Sequence, residues 1–164
     1  MKGRMDLNDR FDSKETVFVK KLLQRELERK VRKKLVDFLF KKYVTKDEEE
    51  FSKKLYLSLD EIKEMKNSGM AFGSHCYSHE WLDILEENEL NFEFERGIEF
   101  LKTINCKNKI MCFPYGCYDE NILEKMEKFK FDAAFNTEIG NNILDEKIKF
   151  KLKRFDCNDF KKCY

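Results

Sequence analysis

From about Lys14 to Tyr43 apolar residues recur at helical spacing. Val19, Leu22, Leu23, Leu27, Val31, Leu35, Phe38 and Leu39 fall on one face, with no Gly or Pro among them. A stripe of that period predicts one long amphipathic helix, or two with a bend, whose apolar side is a packing face. Residues 47–56 predict a second, shorter helix. Ser58 followed by Glu61 forms a capping box, in which the Ser and Glu side chains satisfy open backbone donors at a helix start. Leu59, Ile62 and Met65 give that helix a buried side, and Gly69 is placed to stop it. A short apolar run from Met70 to Ser74 then reads as a strand. Leu90, Phe94, Ile98 and Leu101 predict a helix over residues 88–104. Lys109 to Phe113 reads as a strand entering a turn at Pro114, the only proline. Asp119 can cap a helix carrying Ile122, Leu123, Met126 and Phe129. Residues 131–136, and then 149–155, read as two further strands.

From Ser58 onward the order is therefore helix, strand, helix, strand, helix, strand. Such alternation predicts an α/β fold, a parallel sheet or partial barrel, whose polar turns gather at the C-terminal ends of the strands. Residues 1–13 are polar and aperiodic and read as a tail.

Composition narrows the partners. The chain has 33 basic and 32 acidic residues, so no general affinity for nucleic acid follows. The charges are uneven, with ten Lys or Arg against three acids over residues 20–42, and eight acids against one Arg over residues 80–99. A basic strip on a helix reads first as a solvated face. No apolar run approaches membrane-spanning length. No apolar leader follows Met1, so a cytoplasmic chain is the expectation. The six cysteines, Cys76, Cys106, Cys112, Cys117, Cys157 and Cys163, show no C-x-x-C spacing and are expected as thiols.

Chemistry concentrates between Gly69 and Leu82. This stretch holds the only two histidines, His75 and His79, and the only tryptophan, Trp81. Two imidazoles four residues apart can face one way and share a divalent metal. Taken alone, the pair also describes two neighbouring surface or core histidines. Two further pieces follow in order: Phe113-Pro114-Tyr115-Gly116, and the polar segment from Lys153 to Asp159.

Together the three pieces resemble the polysaccharide deacetylase family, the NodB-like carbohydrate esterases, over roughly residues 57–160. That resemblance implies a partial, distorted β/α barrel with an added N-terminal helical segment over residues 14–56. It implies a divalent metal, usually zinc, held by His75 and His79. It implies a substrate groove lined by Pro114, Tyr115, Gly116 and Trp81, with the backbone N–H of Tyr115 donating to the oxyanion. The implied reaction is hydrolytic removal of acetyl groups from N-acetylated sugars, a carbon–nitrogen bond cleavage outside peptides, with an acetylated carbohydrate as substrate.

This sequence departs from the family pattern in four places. The family's first motif, resembling Thr-Phe-Asp-Asp-Gly, supplies a general base and a third metal ligand, but no two Asp residues are adjacent here. Asp6 and Asp12 lie in the polar tail and take over neither role. Cys76 stands where Ser or Thr usually follows the first histidine, and Cys112 where Arg often precedes the Phe-Pro-Tyr-Gly turn. With no third histidine, nothing supplies the family's late Leu-x-x-His acid. Arg154, Asp156, Asn158 and Asp159 are either site residues or a capping turn. The expectation is a deacetylase domain portion lacking its first strand and its acidic pair, impaired alone, with the missing part supplied by another chain. The alternative is a non-catalytic metal- or sugar-binding remnant.

Overall fold

A computed structural model describes residues 12–143 and 145–160. The predicted tail at residues 1–13 lies outside them up to residue 11, as do Asp6 and Cys163. Ser13 is not tail but a helix cap, its hydroxyl accepting from the Thr16 N–H. The chain divides into two compact units, Met1–Ser58 and Leu59–Tyr164.

The first unit is helical. Helix α1 (Lys14–Lys21) runs into a widened turn over Leu22–Glu26, and the chain becomes extended at Leu27. Helix α2 (Arg29–Tyr43) follows. The long periodic stripe is thus two helices with a break, although neither Gly nor Pro makes it. Asp47 caps α3 (Glu48–Leu55) by accepting from the Glu50 N–H. Rings of Phe40 and Phe51 meet edge to face at 5.3 Å. The expected packing face is divided: Leu22, Leu23, Leu27, Leu35 and Leu39 are partly buried, while Val19, Val31 and Phe38 are about half exposed. In their place Val17 is buried, as is Arg32, whose guanidinium donates to the Gln24 carbonyl.

The second unit holds the α/β portion. Helix α4 (Leu59–Asn67) ends at Gly69, whose φ of +91° lets the Met70 N–H reach back to the Met65 carbonyl. Helix α5 (Glu87–Thr103) opens with a capping box between Glu86 and Glu89. Strand β1 (Ile110–Cys112) pairs in parallel with β2 (Ala133–Phe135), Met111 opposite Ala134. Between them lies α6 (Glu120–Lys128), capped by Asp119 as its sequence predicts.

Two flanking segments join this ladder by single parallel bridges, Ser74 to Met111 and Leu152 to Phe135. The expected strands at residues 70–74 and 149–155 are present only as these points of contact. The observed architecture is a helix-rich α/β unit around a small parallel sheet. Its core combines Leu90 and Phe94 of α5, Met111, Phe113, Met126 and Phe131, all at most 2% exposed. Phe94 meets Phe129 and Phe131 edge to face at 5.6 and 5.3 Å. Among the described residues no helix is long and apolar enough to cross a membrane.

The two units differ in what an apolar side chain contributes. Phe94→Ala should cost about 3–5 kcal/mol, because it empties a fully packed site. Phe38→Ala, on an open face, should fall within about 0.5 kcal/mol of wild type. Urea denaturation of both variants measures the contrast.

Candidate functional site

The sheet brings the two informative turns together. The Ser74 N–H donates to the Ile110 carbonyl at 2.8 Å, and the Cys112 N–H donates to the Ser74 carbonyl at 2.9 Å. Because the pairing is parallel, both chains leave the ladder at the same end. His75 follows Ser74 directly, and Phe113–Gly116 follows Cys112.

The imidazole Nδ1 of His75 lies 2.7 Å from the Cys112 carbonyl oxygen. A carbonyl can only accept, so Nδ1 carries the proton, and the neutral ring then has its lone pair on Nε2. That Nε2 lies 3.1 Å from Nε2 of His79. Two nitrogens bound to one ion at about 2 Å each, at tetrahedral or octahedral angles, lie about 3 Å apart. The donor set therefore fits two adjacent positions around a divalent ion. Among the described residues no third His, Cys, Asp or Glu completes a cluster with them.

Stacked aromatic groups surround the pair. His79 meets His75 on one side and Tyr115 on the other, each edge to face with centroids 4.7 Å apart. Tyr115 stacks in parallel on Trp81 at 4.5 Å. His75, His79, Tyr115 and Trp81 thus form one continuous array, with both imidazoles open to solvent and Pro114 buried beneath. The predicted residues converge. A separate cleft of about 580 Å³ runs between Gly73–Tyr77 and α5, lined by Ser74, His75, Arg96 and Phe100; it does not reach His79 or Tyr115.

The turns are conformationally strained. Cys76, His79 and Tyr115 adopt φ of +63°, +56° and +57°, left-handed values that side chains disfavour. Gly116 follows at +68°. A Cβ there would come within 2.2 Å of the Thr137 hydroxyl, so only glycine fits.

Electrostatics act on two groups. Partial desolvation lowers the His79 pKa from its ordinary value, and the neighbouring His75 lowers it further; a backbone hydrogen bond and Glu80 oppose both. Burial also pushes the Cys76 thiol well up, reinforced by the Glu93 carboxylate. Its Sγ packs 3.7 Å from the Met111 sulfur. Cys76 therefore packs as a neutral thiol in the folded chain, and among the described residues it does not join the two histidines in a three-membered cluster.

Sequence reasoning passed over Glu93, a buried acid in the middle of α5. Its Oε2 accepts from the Tyr77 and Ser78 N–H groups at 2.7 and 2.9 Å, and its Oε1 accepts from the Ser78 hydroxyl. The signal available was a carboxylate set between Phe92 and Phe94, at a position facing the core. The late polar segment is a capping turn: Asp156 accepts from the Asn158 N–H, and Asp159 accepts from the Asp156 N–H. Arg154 is tied through its backbone to Glu138.

The family model for polysaccharide deacetylases matches residues 10–134, reaching further toward the N-terminus than the motifs described above. Among solved structures the chain is similar to BC0361, a polysaccharide deacetylase from Bacillus cereus, at 28% identity and a TM-score of 0.53. That match covers 60% of this chain and 31% of the other. BA0330 from Bacillus anthracis is similar at 27% identity, with the same coverage and TM-score. The Streptococcus pyogenes deacetylase PplD, solved in complex with acetate, matches at 25% identity and a TM-score of 0.49, over 51% of this chain and 38% of that one. The chain thus spans between three and four tenths of the solved proteins it resembles. No curated protein matches it.

Two measurements check the geometry. Gly116→Ala should lose at least about 1–3 kcal/mol in chemical denaturation, since it meets both the left-handed φ and the Thr137 contact. The His79 ring should titrate below 6.5 in an NMR pH series. A depressed folded-state pKa means that the unfolded chain binds the proton first. The His79 contribution to stability is then complete above about 6.5 and is lost as the pH falls through the lower folded value.

Proposed function

The chain belongs to the polysaccharide deacetylase family, and from that premise we propose that it is a metal-dependent hydrolase portion acting on N-acetylated sugars. The observation that carries this reading is the 3.1 Å approach of the His75 and His79 Nε2 atoms, with His75 oriented through Nδ1 by the Cys112 carbonyl. A carbonyl behind a ligating imidazole fixes tautomer and ring orientation.

In this reading His75 and His79 hold a divalent ion, zinc by the family resemblance. When bound, that ion supplies Lewis acidity toward an acetyl carbonyl and toward water. The remaining roles belong to the chain itself. The backbone N–H of Tyr115 donates to the developing oxyanion, in a turn held rigid by Pro114 and Gly116. Trp81 and Tyr115 present stacked rings beside the histidines, a surface suited to the apolar face of a sugar ring. The Bacillus cereus relative supports the substrate class.

The family's base and third ligand are carboxylates. In this proposal they come from outside the described residues, whether from the same polypeptide or from a second chain that completes a distorted barrel. By itself the chain then binds metal and sugar better than it turns over. Losing a positioned base commonly costs about 10²–10⁴ in rate. A purely binding role is the second reading, favoured by the lack of a third clustered ligand among the described residues.

Zinc titration calorimetry of the reduced protein, with mass-spectrometric assay of N-acetylglucosamine oligomers, tests the proposal. Wild type should bind one zinc ion, and His75→Ala and His79→Ala should each lose at least about tenfold in affinity. Deacetylation by the chain alone should be slow and should disappear in either variant. Zinc binding that survives both substitutions would remove the histidine pair as the metal site. Sugar binding with no turnover at all would leave only the binding role.

A further inference from the structure

Glu93 is the one acidic side chain buried among the described residues, 4% exposed on α5. Its carboxylate is directed at the backbone between the two histidines. One oxygen receives two successive N–H groups, those of Tyr77 and Ser78, and the other receives the Ser78 hydroxyl. The same helix grips the loop at two more points. The Phe92 ring meets Tyr77 edge to face at 5.5 Å, and the Arg96 guanidinium lies over the Tyr77 ring at 5.2 Å.

We infer that Glu93 is a positioning residue for the histidine pair, fixing the Tyr77 and Ser78 peptides so that both imidazole Nε2 atoms meet at one point. What the pair then binds rests on the proposed function; the positioning itself does not. The physical case has two parts. First, left-handed Cys76 and His79 flank the held peptides, so a released loop would relax toward ordinary φ values and turn the His79 ring away. Second, His75 is anchored independently through Cys112, whereas His79 is next to Ser78 and inherits its placement from that peptide. Three hydrogen bonds to a single buried carboxylate are strong and directional, as such charge-assisted contacts are. Removing the acceptor would leave the Tyr77 and Ser78 N–H groups without this partner.

Glutamine can keep this geometry. Its carbonyl oxygen takes both N–H groups, while its amide donates to the Ser78 hydroxyl, which accepts equally well. Aspartate keeps the charge but withdraws both oxygens by one methylene. Methionine keeps the volume and offers no acceptor. The full 164-residue chain is therefore compared as wild type, Glu93→Gln, Glu93→Asp and Glu93→Met, with Ile98→Ala on the same helix as a control for general destabilisation. Three readouts are taken: the His75–His79 ring contact by NMR, amide exchange at Tyr77 and Ser78, and affinity for zinc alone.

Glu93→Gln should keep the ring contact and bind zinc within about fivefold of wild type. Glu93→Asp and Glu93→Met should lose the contact, expose the two amides to exchange and bind zinc about 10–100-fold more weakly. Ile98→Ala should lower the melting temperature and leave all three readouts unchanged. The inference is overturned if Glu93→Met and Glu93→Asp keep the ring contact. It is also overturned if Glu93→Asp outperforms Glu93→Gln, or if Ile98→Ala loses the contact at an equal drop in melting temperature. Should Glu93→Met not fold, the Gln and Asp variants decide. Should wild type bind no zinc through these histidines, the metal reading fails, while ring contact and amide exchange still decide the role of Glu93.

Discussion

Everything at the site depends on one parallel contact, Ser74 against Met111. Two backbone hydrogen bonds make it, each worth about 1 kcal/mol net, yet their positional effect is far larger. Parallel pairing sends both chains out of the sheet in the same direction. Residues 36 apart in the sequence, His79 and Tyr115, consequently meet edge to face. Antiparallel pairing at the same position would have put the two turns at opposite ends. Close packing reinforces the contact: Met111 is fully buried, and a Cβ on Gly97 of α5 would come within 2.4 Å of the Ser74 hydroxyl. The helix that carries Glu93 therefore lies directly against the strand segment that delivers His75.

Burial sets the charge states around this contact. The Glu93 carboxylate on α5 acts on the Cys76 thiol of the loop. The thiol is kept neutral by its apolar surroundings and by the nearby carboxylate. The carboxylate in turn accepts from backbone donors and not from a cation. His79 is held toward its neutral form by partial burial and by its twin. A neutral imidazole keeps the lone pair that ligation requires.

The two units place their apolar surface differently. Around the sheet, Phe94, Phe113, Met111 and Met126 are sealed. In the helical unit the leucines of the predicted stripe are only partly buried and Val19, Val31 and Phe38 are about half exposed, while Arg32 is taken inside. Helical periodicity specifies which side chains share a face. It does not specify whether anything covers that face.

Local rules made several features legible in the sequence alone. Asp119 caps α6, Gly69 ends α4, and the core faces of α5 and α6 follow the apolar spacing, because capping, left-handed turns and amphipathic periodicity are decided within a few residues. The histidine segment and the Phe-Pro-Tyr-Gly turn were legible as chemistry for the same reason, and so was the family. Strand lengths were not: residues 70–74 and 149–155 reduce to single bridges, since strand pairing is settled by neighbours distant in the chain. The break between α1 and α2 carries no Gly or Pro to announce it. The approach of His75 to His79, the stacking of Tyr115 on Trp81 and the hold of Glu93 on the loop exist only in the fold. Each needs two segments 15 or more residues apart to be brought within hydrogen-bonding or ring-contact distance, or a turn held in strained φ values. The sequence by itself determined which residue types could act. Tertiary packing decided which of them meet, because a contact range of a few ångströms is reached only after the chain has folded back on itself.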